Sequence, residues 1–218
     1  MSDNREAFFA RIRAARGGDA GAESPTPPKI EDAIVRTVSR DVDRAELFIE
    51  RSRATGMEVH DLRTVPLRDA VSALFERLGI GSITLAVGDD SESSGLIEAV
   101  AASGCSVVDH RASDRLEAHY DVDAGVTDSL AAIAETGTVV VSSTSGRSRG
   151  SFIVPPIHIV LIRARDIAAD HLDFWRDHAP ATMPASTVFV SGPSKTADIE
   201  GILITGVHGP GAVHVLVV

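Results

Sequence analysis

SITLAVGDDSESSGLIEAVAASGCSVV, residues 82–108, decides the fold class. Ser82–Val87 is an apolar, β-rich run of strand length, and Gly88-Asp89-Asp90 turns the chain away from it. Leu96–Ala102 reads as a helix and Cys105–Val108 as a second strand. Strand, helix and strand in succession form a βαβ unit, whose two strands run parallel with a right-handed crossover. The turn at Gly88 lacks the Gly-x-Gly-x-x-Gly spacing that lets backbone approach a pyrophosphate, which disfavours a nicotinamide-binding Rossmann site.

The same rhythm extends in both directions. Upstream, Asp41 or Asp43 caps a helix over Val42–Thr55 that Gly56 stops, and Met57–His60 is a short strand. Pro66 opens a helix with Val71, Leu74, Phe75 and Leu78 on its apolar face, punctuated by Gly79 and Gly81. Further upstream, Asn4–Arg16 is a short helix with Phe8, Phe9 and Ile12 in one stripe. AGAESPTPPK, residues 20–29, is a proline-rich linker. The chain thus divides into an N-terminal helix and flexible linker, residues 1–40, and an α/β domain, residues 41–218.

Downstream, residues 109–124 are acidic and irregular. Thr127 is positioned to cap a helix over Asp128–Glu135, and Gly137 ends it before the strand Val139–Val141. Ser142–Gly150 is a polar loop carrying Arg147 and Arg149, Ile157–Ile162 is a strand, and a helix lies within Asp166–His178. Val188–Val190 and Ile202–Ile204 are apolar runs read as buried segments. Each leads into a glycine-containing polar loop.

Composition narrows the function. The chain has 218 residues, 44% hydrophobic and 24% charged, which suits a globular domain with a sizeable core. Residues 56–218 carry eleven basic and twenty-one acidic side chains, an imbalance that argues against a nucleic-acid partner. No apolar run approaches the ~20 residues of a membrane span. Charges interrupt the first eighteen residues, so they do not read as a secretory signal, and a cytoplasmic protein is expected. The single cysteine, Cys105, excludes an internal disulfide and a cysteine-ligated iron–sulfur cluster within this chain. No histidine spacing matches a metal motif, so no metal site is expected. No Gly-x-Ser-x-Gly elbow or Walker A motif occurs either.

The chemistry concentrates in Thr187–Val218. Ser191, Gly192, Ser194, Lys195, Thr196 and Asp198 form a loop rich in hydroxyls, and Lys195 is the sole lysine after Lys29. If a helical turn begins near Thr196, its N-terminus together with the Lys195 ammonium favours a small anion. The competing reading is a capped turn with Lys195 solvated. His208, between Gly206 and Gly209-Pro210, is a candidate general acid or base, or else a turn residue bonded to local backbone. Glu135, beside Thr136 and Gly137, is a candidate base or ligand contact. A carboxylate at a helix C-terminus opposes the macrodipole, which points to another purpose. Arg147 and Arg149 offer a bidentate clamp for a carboxylate or phosphate, or else are surface charges on a mobile loop.

The runs AIAETGT (132–138), PPIHIV (155–160) and SGPSKTADIEGILITGVHGP (191–210) resemble the LUD-domain family, over most of residues 41–218. The resemblance implies a three-layer α/β/α domain with a largely parallel sheet, similar to the NagB/RpiA/CoA-transferase-like fold. It also implies a cytoplasmic system oxidising L-lactate to pyruvate, with iron–sulfur clusters in partner proteins and no cofactor in this chain. The family pattern often has arginine where Lys195 stands, and lysine keeps the charge but loses the planar fork. Three functions follow as expectations. The first is a non-redox subunit or accessory protein of lactate oxidation. The second is a stand-alone transferase or ligase for an acyl, sugar-phosphate or folate-type substrate. The third is a scaffold for iron–sulfur proteins.

Overall fold

A computed structural model describes residues 2–15, 31, 34, 36–39, 41–109, 116–144, 146–178, 184, 186–199 and 202–218. The chain separates into two compact units, residues 1–35 and 36–218. The first contains α1 (Ser2–Ala15), whose stripe residues Phe8, Phe9 and Ile12 are exposed. The linker read at residues 20–29 lies outside the described residues.

In the second unit the helix boundaries follow the capping chemistry. Asp43 accepts from the backbone N–H groups of Ala45 and Glu46 and starts α2 (Arg44–Ala54). Pro66 precedes α3 (Leu67–Leu78), which Gly79 closes in the left-handed conformation. Asp90 caps α4 (Ser91–Ser103) through the Ser93 N–H, so this helix begins five residues before its apolar face does. Two shorter helices follow, α5 (Gly150–Ile153) and α6 (His171–Asp177).

Six strands form the central sheet: β1 (Glu58–Asp61), β2 (Ser82–Ala86), β3 (Ser106–Val108), β4 (Ala124–Asp128), β7 (Ile157–Ile162) and β12 (Ala212–Val217). Their order is β1-β12-β7-β4-β2-β3, and every neighbouring pair is parallel. The βαβ reading of residues 82–108 is therefore correct, with Ser82 beside Ser106 and Thr84 beside Val108. One face of the sheet packs on α3 and α4 through Val71, Leu74, Phe75, Leu96 and Val100. The other meets Phe48 and Ile49 of α2, Phe152 of α5 and a second, smaller sheet. The layers are α/β/α as expected, except that one outer layer is part helix and part sheet.

That second sheet overturns one expectation. Residues 128–135 are not a helix. They complete β4 and form β5 (Ala131–Ile133), which pairs antiparallel with β6 (Thr138–Ser143) and parallel with β8 (Ile167–Ala168). β9 (Ser186–Val190) completes the order β8-β5-β6-β9. Every residue of β4 and β5 is buried, so no polar face exists to give a helical period, and packing on both sides outweighs alanine's helix propensity. Asp128 is thus a strand terminus rather than a first-turn helical residue. Glu135, Thr136 and Gly137 occupy the hairpin turn between β5 and β6, so Glu135 does not end a helix.

Gly137 explains the tightness of that turn. Its φ is +62°, and a Cβ there would lie 2.3 Å from the backbone nitrogen of Ser52 on α2. The Ser52 hydroxyl donates to the Gly137 carbonyl at 3.1 Å, so the turn is docked directly on helix backbone.

The C-terminal block also departs from expectation. No helical turn begins at Thr196. Instead β10 (Lys195–Ile199) pairs antiparallel with β11 (Ile202–Thr205), Lys195 opposite Thr205. The run Ile202–Ile204 is not buried, since Ile202 and Leu203 are exposed on this two-stranded hairpin. β9, by contrast, is half-buried along its length.

Candidate functional site

The topology separates two polar regions at opposite ends of the central sheet. The segment Gly206–Gly211 leads into β12 and Pro155-Pro156 into β7, so these loops sit at the amino ends of adjacent parallel strands. The Gly211 N–H donates to the Pro156 carbonyl at 2.9 Å and ties the two together. The Ser191–Ser194 loop joins them: the Ser194 N–H donates to the Pro210 carbonyl, and the Gly206 N–H donates to the Ser194 carbonyl, both at 2.9 Å.

Between them lies an open cleft of about 220 Å³. Ser191, Gly192, Ser194, His208 and Gly209 line it, all five anticipated from the sequence, along with Phe152, Phe189 and His158. The volume is below the roughly 300–1,000 Å³ of drug-sized sites, so it suits a metabolite of few heavy atoms. Gly192 shapes the wall. Its φ is +126°, and a Cβ would stand 2.8 Å from the Thr55 carbonyl at the end of α2.

His158 was missed by sequence reasoning, because a lone histidine inside the apolar strand Ile157–Ile162 reads as core. It is fully buried, and burial pushes its imidazole down to about 3, leaving it neutral. Its Nε2 lies 2.9 Å from the Thr127 hydroxyl, while Nδ1 has no hydrogen-bond partner. An unpaired nitrogen on this fully buried ring costs free energy, and the ring stands behind the cleft wall.

Lys195 is engaged with backbone in this structure and is not among the residues lining the cleft. Its ammonium donates to the Thr55 carbonyl at 3.3 Å, a cation at the C-terminus of α2 where the helix dipole favours it. The helical turn expected near Thr196 is absent, which removes one of the two supports of the anion-binding reading of that loop. Thr196 does not line the cleft, and the side chain of Asp198 lies outside the described residues. Glu135 is not at the cleft either; its carboxylate accepts from the Thr37 hydroxyl. Thr136 connects indirectly. Its hydroxyl is 2.6 Å from that of Thr138, which is 2.8 Å from the Ser191 hydroxyl at the cleft.

Arg147 is at the opposite end of the sheet, not with the C-terminal loops. There Asp128, ending β4, is buried with one carboxylate oxygen accepting from Arg147 Nη2 at 2.7 Å. The same oxygen accepts from the Gly88 N–H and the Ser93 hydroxyl, each at 3.0 Å. Arg163, following β7, pairs with Asp90 and donates to the Ser93 hydroxyl at 3.1 Å. Burial opposes ionisation of Asp90, but hydrogen bonds from Arg163 and Ser93 outweigh it and hold the carboxyl well below the usual range. Arg149 is exposed.

Comparison with known proteins adds a family. The LUD domain matches residues 45–218. The chain is 31% identical to lactate utilization protein C of an Exiguobacterium species, over 99% of this chain and 96% of that one. It is 28% identical to lactate utilization protein C of Shouchella clausii, covering 96% and 95%. A crystal structure of a DUF162 family protein from Deinococcus radiodurans superimposes with a TM-score of 0.56 at 20% identity, covering 81% of this chain and 98% of that one, and so shares the fold. On the strength of the match to residues 45–218, this chain belongs to the LUD domain family.

Proposed function

We propose that this protein is a non-redox component of an L-lactate utilization system and binds a small carboxylate such as lactate or pyruvate in the cleft between its C-terminal loops. The observation that carries the pathway is the near full-length similarity to lactate utilization protein C. The single cysteine, Cys105, supports the assignment of iron–sulfur clusters to partner proteins. The cleft supports the ligand class: it is small and lined by Ser191, Ser194 and, at its mouth, His208, with the buried His158 ring behind it. In this reading the Ser191 and Ser194 hydroxyls orient the carboxylate, and His208 is the candidate for proton transfer. The exposed Ile202 and Leu203 on the β10–β11 hairpin support a role in assembly with those partners.

Growth on L-lactate as sole carbon source tests the proposal in a host lacking its own copy. The wild-type chain restores growth, and a Ser194→Ala/His208→Ala chain of equal abundance does not. Growth without any copy would contradict the pathway. Full rescue by the double variant would contradict the cleft.

A further inference from the structure

A third polar cluster lies at the β1 edge of the central sheet. β1 and β12 are parallel neighbours at the edge of the central sheet, with Glu58 opposite His214 and His60 two residues along β1 on the same face. Three potential ligand side chains thereby converge. His60 Nε2 is 3.4 Å from His214 Nδ1, 3.6 Å from one Glu58 oxygen, and the other Glu58 oxygen is 3.5 Å from His214 Nδ1.

We propose that Glu58, His60 and His214 form a binding site for a divalent transition-metal ion of the zinc class. A tetrahedral ion with bonds of about 2.0–2.1 Å holds its ligand atoms about 3.3–3.4 Å apart. The His60 Nε2–His214 Nδ1 separation matches that spacing, and each of the two nitrogens has a different Glu58 oxygen within about 0.3 Å of it. Two imidazole nitrogens and one carboxylate are a borderline-soft donor set, suited to zinc, cobalt or nickel rather than magnesium or calcium. Three protein ligands leave a position for water or substrate, as in catalytic rather than structural zinc sites. The burial pattern agrees. The His214 side chain is 4% exposed and forms the floor, while those of His60 and Glu58 are 23% and 48% exposed and leave the cluster open to solvent.

Arg77, in the last turn of α3, donates to a Glu58 oxygen at 2.5 Å. It competes for the carboxylate, so the site is built for a cation only when that bond is surrendered or shared. This gives the proposal an unusual signature: removing a positive charge next to the site strengthens it.

The test uses the purified full-length chain, stripped with chelator and titrated with zinc by calorimetry and with cobalt by visible absorption. One equivalent binds per chain, and cobalt develops the intense visible bands of a tetrahedral site. His60→Ala and Glu58→Gln, both at partly exposed positions, weaken binding by about tenfold to a hundredfold or more. Arg77→Gln tightens it, and His171→Ala leaves it unchanged. Circular dichroism of each variant establishes that the fold is retained. Absence of stoichiometric binding, wild-type affinity in His60→Ala, or weaker binding in Arg77→Gln would each overturn the proposal.

Discussion

At the carboxyl ends of β2, β4 and β7, charged groups are spent on one another. Arg147 and Arg163 answer Asp128 and Asp90, with Ser93 and the Gly88 N–H closing the network. At the amino ends of β7 and β12 the polar groups are hydroxyls and histidines rather than ion pairs. Ser191, Ser194 and His208 line an open cleft, and buried His158 keeps one ring nitrogen unpaired. Open parallel sheets commonly place ligands at their carboxyl ends, so position alone favours the first region. Hydrogen-bond accounting leaves one buried polar atom unpaired in each region, Asp128 Oδ1 at the carboxyl end and His158 Nδ1 at the amino end, and of the two residues it is His158 that lines the cleft.

The sharpest way to break this contrast is at Asp128. Asp128→Asn removes the charge paired with half-buried Arg147 and one of the carboxylates around buried Arg163, which keeps Asp90. Loss of one partner from a buried pair costs about 3–5 kcal/mol, and the solvent access of Arg147 places this case near 3 kcal/mol. Urea unfolding at neutral pH measures it. Lactate affinity of the folded fraction stays at the wild-type value if the carboxyl end is structural, and falls with it if that end is the ligand site.

The second effect is on the pH dependence of stability. His158 has an ordinary value of 6.5 and is held at about 3 in the folded chain. Between those values the unfolded chain binds a proton that the folded chain refuses. His158 therefore favours the native state fully above 6.5, and that contribution is lost as pH falls through 6.5 towards 3. The slope is at most about 1.4 kcal/mol per pH unit, or about 2 kcal/mol by pH 5. Unfolding curves from pH 7 to pH 4 for wild type and His158→Gln check this, the variant losing one proton's worth of slope.

The smallest effect is at Lys195. Lys195→Gln removes a cation from the C-terminus of α2 and costs about 0.3–1 kcal/mol in thermal or urea unfolding. Ligand affinity is unchanged, because Lys195 faces the Thr55 carbonyl rather than the cleft. Lost affinity with unchanged stability would restore this lysine to the ligand site.

Legibility in the sequence followed the local signals. Asp43, Pro66, Gly79 and the alternation around residues 82–108 act on their own neighbourhoods, so the helices and the parallel pair were readable. Ala124–Ile133 was not, because a fully buried run satisfies helix and strand patterns alike until its packing is known. The same logic divides the site. Ser191, Ser194 and His208 announced themselves through small polar loops with glycine. His158 hid in an apolar strand. Gly137 stands out in the sequence as a turn glycine, and it serves the docking of that turn on α2. Glu58 and His214 meet only through the β1–β12 register, which no sequence spacing reveals.

The central claim is that a small acid binds at the amino end of the sheet. Chemical-shift mapping by nuclear magnetic resonance, with L-lactate or pyruvate titrated into the isotope-labelled chain, tests it most directly. The account predicts saturable shifts at Ser191–Ser194, His208–Gly209 and the His158 ring, with Gly88, Ser93 and Asp128 unmoved. Shifts confined to Gly88, Ser93, Asp128 and Arg147 would contradict it.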